Sequence, residues 1–243
     1  MSELASITDI AEVAAAIGDP SRAAVLMALA DGGVLPASAL AAEAGVTAST
    51  ISGHLNRLRE AKLLTVEHDG RHRYYRLAST DVARALEELA RIAQPLPVTS
   101  LRGSVRAHAL LRARLCYDHL AGRLGVDLLA ALVDQGVLAY TDGSYRITAS
   151  GAEMLREFGV DDAELSGRRP ATRYCVDWGE KRHHLAGALG AAVTARLFAL
   201  GWLSRGRARR VVLLTDAGRA GLNDTFGLAA DWGQAGAEPK GGA

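Results

Sequence analysis

The sequence predicts an α+β protein that is mainly α-helical and carries small β-hairpins. Apolar residues recur at helical spacing through the first 94 residues. Asp-Gly pairs, which favour tight hairpin turns, stand between β-prone runs at residues 69–70 and 142–143. Residues 105–232 contain two segments that resemble each other. The composition allows a packed core, because 49% of the 243 residues are hydrophobic and 23% are charged.

Five helices are predicted in a first domain, residues 1–94. They cover residues 7–17, 19–30, 38–44, a stretch that follows Thr47, and 79–93. Pro20 suits the first turn of the second helix, and Gly45 suits the position after the end of the third. The hydroxyl of Thr47 can accept a hydrogen bond from an amide in the first turn of the fourth helix.

The fourth helix has two different faces. Ile51, Leu55 and Leu58 form one apolar stripe, and the opposite face carries short or donor-rich side chains that can enter a DNA major groove. Two strands, 64–67 and 71–77, then flank His68-Asp69-Gly70 in a hairpin. The candidate DNA-contacting residues lie on this helix and hairpin: Thr47, Ser49, Thr50, Ser52, His54, Asn56, Arg57, Arg71, His72 and Arg73. An ordinary amphipathic helix with a solvated hairpin is the alternative.

A short helix, a Gly turn, a longer polar-faced helix and a hairpin form a winged helix-turn-helix. Residues 10–92 resemble the arsenic-repressor (ArsR) family of bacterial transcriptional repressors. The matching segments are Ile17-Gly18-Asp19-Pro20-Ser21-Arg22, Thr50-Ile51-Ser52-Gly53-His54-Leu55, Leu58-Arg59-Glu60-Ala61 and Gly70-Arg71-His72-Arg73-Tyr74-Tyr75-Arg76-Leu77. The resemblance covers about the first third of the chain. It implies a homodimeric, ligand-sensing repressor of double-stranded DNA, which by its symmetry would read a palindromic operator.

The resemblance also implies where the dimer and the sensing sites would lie. In the family the first and last helices form the dimer interface, so the candidate interface residues here are Ile7, Ile10, Val82, Leu86 and Leu89. The family's sensing cysteines would fall within residues 34–38, which contain no thiol, and its second metal site would fall within residues 81–94, which contain no histidine. Both usual metal sites are therefore absent from the sequence.

Beyond the first domain, Pro95 and Pro97 predict a stiff linker over residues 95–104. Residues 105–232 are interpreted as a duplicated effector domain, with repeats of about 105–163 and 164–232. Each repeat is predicted to be a degenerate winged helix in the order helix, helix, hairpin, helix, with a cleft between the two. The Gly-rich tail, residues 233–243, is predicted to be flexible.

The two repeats suggest alternative effector sites. Cys116 and His119, three residues apart and predicted to share a helix face, correspond to Cys175 and His184, and the four could bind zinc. A small-molecule pocket could instead be lined by Tyr117, Tyr174, Trp178 and His183, with Arg173 or Arg182 as the partner of an anion. The sequence slightly favours the organic molecule. Thiol redox sensing and two thiols buried for packing remain open.

Composition limits the other functional classes. The net charge is +1, so nucleic-acid binding must come from a local basic patch. No apolar run has the length of a membrane span, no secretory pattern opens the chain, and two cysteines are too few for a disulfide scaffold. A soluble cytoplasmic protein is expected. Cys175, His184 and Asp177 are residue types of a thiol enzyme, but no nucleophile elbow, phosphate-binding loop or HExxH motif occurs, so a non-enzyme is predicted.

Overall fold

A computed structural model describes residues 10–70, 72–94 and 100–233, and this part of the chain contains eleven helices and eleven strands. The chain divides into two compact units, one ending at Leu86 and the other beginning at Glu87. The predictions made for Ile7, Arg71, residues 95–99 and residues 234–243 lie outside the described residues. No helix within the described ranges is long and apolar enough to cross a membrane.

The first unit is a three-stranded sheet with helices. Its elements are α1 (Ile10–Ile17), α2 (Pro20–Ala28), β1 (Leu35–Pro36), α3 (Ala37–Ala44), α4 (Ala48–Glu60), β2 (Leu64–Asp69), β3 (His72–Leu77) and α5 (Thr80–Ile92), which continues into the second unit. The sheet has the order β1-β3-β2, and both pairings are antiparallel. These elements confirm the predicted fold class and the five helices, with α1 described from Ile10.

The predicted start of α4 at Thr47 and the predicted end of α3 at Gly45 are confirmed. Asp19 caps α2 by accepting a hydrogen bond from the amide of Arg22 at 2.9 Å, and Thr47 caps α4 by accepting one from the amide of Thr50 at 3.3 Å. Gly45 ends α3 with φ 65°, a conformation that glycine adopts without a steric penalty. The apolar stripe of α4 is buried, as its spacing predicts. This packing leaves the opposite face of α4 exposed.

The hairpin is longer than predicted. Asp69 belongs to β2 and pairs with His72, so the predicted turn His68-Asp69-Gly70 included two residues that form part of the ladder. The sequence analysis also missed β1, where Leu35 lies opposite Tyr75. A strand of two residues is too short to produce an alternating pattern, and only its pairing with β3 defines it.

The second unit repeats one order of elements. After α6 (Leu101–Arg112) come β4 (Arg114–Cys116), β5 (His119–Ala121), α7 (Gly122–Asp134), β6 (Leu138–Thr141), β7 (Ser144–Ile147) and α8 (Ala149–Phe158). The short α9 (Asp162–Leu165) precedes β8 (Arg173–Val176), β9 (His183–Ala186), α10 (Gly187–Ala199), β10 (Leu203–Arg205), β11 (Val212–Leu214) and α11 (Asp216–Phe226). Hairpin, helix, hairpin, helix therefore occurs twice. The duplication itself stays a prediction. Helix α6 begins inside the stretch that was predicted to be a linker.

The helix predicted around Cys116 and His119 is wrong. These residues lie on β4 and β5, and Tyr117 reverses the chain between them with φ 61°, outside the range of a right-handed helix. Strands of three residues carry no readable alternation, so the apolar spacing fitted a helix equally well. Thr148 and Thr215 cap the helices that follow the later hairpins, and each accepts a hydrogen bond from a glycine amide at 2.9 Å.

The two halves of the second unit exchange packing partners. Helix α7 packs on β9, and helix α10 packs on β5. Glycines stand at these contacts: a Cβ at Gly125 would lie 3.6 Å from the Cβ of His184 on β9, and one at Gly190 would lie 3.3 Å from the Cβ of His119 on β5. One hydrophobic core, from Ala113 to Trp232, contains side chains of both halves. The halves thus share a filled core where the sequence suggested a cleft.

Gly190→Ala is expected to destabilise the second unit. Its added Cβ would lie 2.7 Å from the Leu185 carbonyl oxygen and 3.3 Å from the His119 Cβ, so the backbone has to shift. Overpacking of this kind costs roughly 1–3 kcal/mol, measurable as a lower urea midpoint. Gly167→Ala is the matched control, because the nearest atom to its new Cβ is 3.9 Å away. Equal midpoints for the two variants would contradict this packing.

Candidate DNA interface and buried cysteine–histidine cluster

Helix α4 presents a polar, solvent-exposed face. The exposed residues of this face share short or hydrogen-bonding side chains: Ser49, Thr50, Ser52, Gly53, Asn56 and Arg57. Thr47 lies at the start of the helix, where its hydroxyl oxygen is also 2.8 Å from that of Ser49 and 2.9 Å from that of Thr50. Arg57 is 3.9 Å from Glu60, an exposed pair that restrains the guanidinium only weakly. The face is shaped to enter a groove without a bulky obstruction.

The hairpin places further polar groups on β3. His72 and Arg73 are exposed, and Arg73 lies opposite His68 in the ladder. His54 differs from the other residues singled out on α4, because its ring is half-buried and its Nδ1 lies 3.6 Å from Asp19 Oδ1. His54 therefore contributes to the packing of α4 near the start of α2 and is poorly placed for DNA.

The second unit brings both cysteines and two histidines together. Cys116 on β4 is the cross-strand partner of His119 on β5, and Cys175 on β8 is the cross-strand partner of His184 on β9. Neighbours in an antiparallel ladder have their side chains on one face, so each hairpin presents a Cys–His pair. The two imidazole rings stack with their centroids 5.3 Å apart. One ligand-type atom from each of the four residues lies within 4.8 Å of the other three.

The cluster is almost closed to solvent. Cys116, His119 and His184 are buried, and only Cys175 is partly exposed. The Nε2 of His119 is 3.7 Å from the Sγ of Cys175. Neither ring nitrogen of His184 has a hydrogen-bond partner within the described residues. A buried polar group without a partner is costly, so His184 requires an explanation.

Each histidine has a carboxylate beside its Nδ1. The Oδ1 of Asp118 lies 3.2 Å from the Nδ1 of His119, and the Oδ2 of Asp177 lies 3.8 Å from the Nδ1 of His184. Each carboxylate is in turn paired with an arginine. Arg169 donates to both oxygens of Asp118, at 2.5 and 3.1 Å, and Arg114 lies 2.9 Å from Asp177. Each hairpin thus carries an Asp–His pair whose carboxylate contacts an arginine from the other half of the unit.

The two sets of residues differ in their contact with water. Asp118 and Arg169 are about a third exposed, whereas Asp177, Arg114 and His184 are fully buried. The Arg114 guanidinium also lies 4.2 Å from the ring centroid of Trp178, whose face favours a cation. On its other side Arg114 is 3.6 Å from Glu87 of α5, which also contacts Arg210. A buried network of two arginines and two carboxylates therefore connects His184 with α5.

The electrostatics of the cluster favour one thiolate. A hydrogen bond from Cys116 lowers the pKa of Cys175. Burial raises this pKa, and the hydrogen bond with His119 lowers it further. The same pairing of the thiols, together with burial, raises the pKa of Cys116. Burial lowers the pKa of His119, but the hydrogen bonds with Asp118 and Cys175 outweigh it and leave the pKa raised. Burial lowers the pKa of His184.

The four residues proposed to line an organic pocket have different neighbours in the structure. Tyr174 and His183 stack with ring centroids 3.9 Å apart, but Trp178 covers Arg114 and Tyr117 lies in the turn after β4. His183 instead accompanies Tyr140 and Tyr145 along a shallow depression of about 470 Å³, which Arg182 also lines. The structure therefore assembles the cysteine–histidine set, and the organic pocket stays a prediction.

Sequence reasoning missed the charged residues that surround the cluster. Asp118 was not noted, and Asp177 was noted only as part of a thiol-enzyme triad. A signal existed, because both aspartates stand two residues after a cysteine in the two matching segments. Glu87, Arg114, Arg169 and Arg210 left no comparable pattern in the sequence.

The comparisons with known proteins point to gene regulation. Residues 17–67 match the model of a helix-turn-helix domain family. The uncharacterized HTH-type transcriptional regulator YdfF of Bacillus subtilis is 42% identical over 212 residues, which are 87% of this chain and 94% of that protein. The HTH-type transcriptional regulator CmtR of Mycobacterium tuberculosis is 41% identical over 83 residues, 34% of this chain and 70% of that protein.

One similar solved structure is the homodimeric winged helix-turn-helix DNA-binding domain of Mb0332 from Mycobacterium bovis, described as a possible ArsR-family regulator. It is 29% identical and covers 35% of this chain and 86% of its own, with a TM-score of 0.31.

Arg114→Met is expected to lower the free energy of unfolding of the second unit by roughly 3–5 kcal/mol, because Asp177 and Glu87 lose a buried partner. Arg169→Met is the matched control: it removes the equivalent, partly exposed pair and should cost about 0–1 kcal/mol. Urea unfolding of both variants measures the difference. Equal losses would show that burial does not distinguish the two pairs.

Proposed function

This chain belongs to the HTH-type transcriptional regulators, and we propose that it is a ligand-responsive repressor that binds a palindromic operator as a homodimer. Its relatives are regulators, and its first unit has the helix, turn, helix and hairpin of a DNA-binding winged helix. Three features are proposed beyond regulation itself: repression of transcription, an operator with two-fold symmetry, and an effector that binds to the second unit.

The exposed polar face of α4 carries this proposal. A recognition helix has to present hydrogen-bonding side chains to base edges while its other face packs in the domain, and α4 does both. In this assignment Asn56 and Arg57 face the bases. The hydroxyl side chains near the start of α4 lie where the helix would enter the groove, and they can also donate hydrogen bonds to phosphate oxygens: Thr47, Ser49, Thr50 and Ser52.

The hairpin supplies the positive charge. With a net charge of +1 the molecule has little overall attraction for DNA, so the attraction must be local. His72 and Arg73 are exposed on β3 next to Arg71, and they are assigned to phosphates or to the minor groove. Contacts of this kind position the protein on the duplex without reading its sequence.

Exposed apolar side chains support a dimer of the whole chain. Ile10 and Val13 project from α1 into solvent, and Leu89 and Ile92 project from α5. Ile10 is 75% exposed and Ile92 is 66% exposed, which is uncommon for isoleucine and favours a covering surface. A second copy of the chain is the proposed cover. Leu86 is removed from the candidate interface, because it is buried within its own chain, and Val82 is half-buried.

The thiol-enzyme alternative is weaker. His184, the histidine of the set that the sequence suggested, is fully buried beside Asp177, and a general base has to reach the proton that it removes. The relative that covers most of the chain is a transcriptional regulator. We therefore assign the cysteine–histidine cluster to binding.

The intact protein first selects a preferred duplex from random sequences. Arg57→Ala is expected to weaken binding to this duplex by about 1–3 kcal/mol and to relax the sequence preference of the protein. Arg73→Ala should weaken all duplexes alike and reduce the dependence of binding on salt. Arg146→Ala is the matched control, since Arg146 is also exposed on a hairpin strand but lies in the second unit. Fluorescence anisotropy at several salt concentrations measures these effects. Unchanged affinity in an Arg57→Ala/Arg73→Ala double variant would refute the assigned interface.

Ile10→Glu is expected to produce a folded monomer with weaker operator binding, because it places a charge in the proposed interface at an exposed position. Leu213→Glu, at another exposed apolar position, should leave the dimer intact. Sedimentation of intact protein and both variants at micromolar concentration provides the comparison. An intact protein that sediments as a monomer, both free and on DNA, would rule out the homodimer.

A further inference from the structure

We propose that Cys116, His119, Cys175 and His184 form a four-ligand site for a thiophilic divalent metal ion, for which zinc is the best match. We propose further that this ion is the effector of the repressor. Only the effector role rests on the proposed function, because metal binding can be measured without DNA.

The donor set matches the chemistry of zinc. Two sulfur and two nitrogen donors are a common tetrahedral set for this ion, and hard cations such as Mg²⁺ prefer oxygen. Donor atoms at about 2.0–2.3 Å from a tetrahedral zinc ion lie roughly 3.3–3.8 Å from one another. Here all four lie within 4.8 Å of one another, so small side-chain rotations would complete the site.

His184 provides an independent observation. It is fully buried, and neither of its ring nitrogens has a hydrogen-bond partner in the described part of the chain. Such a group destabilises a folded protein unless something binds to it. A metal ion at the centre of the cluster would supply the missing partner and explain why this polar ring is kept in the interior.

The carboxylates beside the histidines have the positions expected around a metal site. A histidine that binds zinc through one nitrogen commonly donates its other N–H to a carboxylate, which fixes the ring. Asp118 lies beside the Nδ1 of His119 and Asp177 beside the Nδ1 of His184. This arrangement leaves the Nε2 of each ring for the ion. A disulfide between the two cysteines would require neither histidine nor carboxylate.

Charge balance also favours a divalent ion. Two thiolates and one divalent cation sum to zero, so the loaded centre adds no net charge to a buried region. The carboxylates are already balanced by Arg169 and Arg114.

The network around Asp177 gives the ion a physical route to α5. Binding would fix the ring of His184. Asp177 lies beside this ring, Arg114 contacts Asp177, and Glu87 lies on the other side of Arg114. Glu87 belongs to the helix that continues from the first unit. An ion that prefers one arrangement of this network shifts the equilibrium between the arrangements, as an effector must.

Metal binding is tested on the full-length protein, reduced and stripped of metal with a chelator. Titration with Co²⁺ should give one ion per chain, with the visible absorption of tetrahedral cobalt and a thiolate charge-transfer band, and Zn²⁺ should displace it. Cys116→Ser/Cys175→Ser should lose the band and the tight binding. His68→Gln/His108→Gln removes two surface histidines as a control and should retain both. A missing thiolate band in intact protein, or unchanged binding in the cysteine variant, overturns the site.

Two further measurements do not depend on the folding of the cysteine variant. Zn²⁺ should slow alkylation of Cys175 by iodoacetamide in intact protein at least tenfold, and Mg²⁺ should not. Asp118→Asn should raise the Kd for Zn²⁺ about 10- to 100-fold while the cobalt charge-transfer band remains, because both thiolates still bind. Restoration by Asp118→Glu would identify Asp118 as a positioning residue. Alkylation at the same rate with and without Zn²⁺ overturns the proposal.

The effector role is tested on the duplex that intact protein selects from random sequences. Zn²⁺ should change the Kd for this duplex by a factor in the range of about 5–150, and the cysteine double variant should not respond. Zinc binding without any change in this Kd overturns the effector role. If no duplex is selected at all, the proposed DNA-binding function fails, while the cobalt titration still decides the metal site.

Discussion

Asp177 has to remain ionised in an interior that excludes water, and much of the second unit is arranged to permit this. Burial raises its pKa, but Arg114 and the backbone amides of Glu180 and Gly122 outweigh that effect and hold the pKa below its usual value. The amide of Gly122 begins α7, and the amide of Gly179 lies in the loop between β8 and β9. One carboxylate thus ties together two hairpins and a helix, and it stands next to the imidazole of His184.

The two histidines of the cluster have similar partners in different surroundings. The Asp118–Arg169 pair is reached by water, whereas the Asp177–Arg114 pair is not. Surface pairs contribute little to stability, and buried pairs are costly to break. Asp118 is therefore the carboxylate that solvent reaches, and Asp177 is the one that contacts neighbouring buried charges. The equivalence of the two Cys–Asp positions in the sequence conceals this difference.

Local signals in the sequence were sufficient for the helices of the first unit and for part of the second unit. Caps such as Asp19 and Thr47 and turn signals such as Asp142-Gly143 act within a few residues, so a sequence contains them in full. Comparing the halves grouped Cys116, His119, Cys175 and His184 correctly, although on the wrong kind of element. Strands of two to four residues depend on distant partners for their definition. The Arg114–Glu87 contact joins elements far apart in the chain, and no spacing rule predicts it.

The exchange of packing partners between the halves also affects how the chain can fold during synthesis. Hairpin β4–β5 leaves the ribosome long before α10, the helix that covers β5. Until α10 emerges, apolar residues such as Leu120 lack their native cover, and the nascent chain has to avoid aggregation in that interval. The second unit therefore cannot complete its core one half at a time. Its folding has to wait for translation of nearly the whole chain, so ribosome pausing after α8 would lengthen the exposure of an incomplete core.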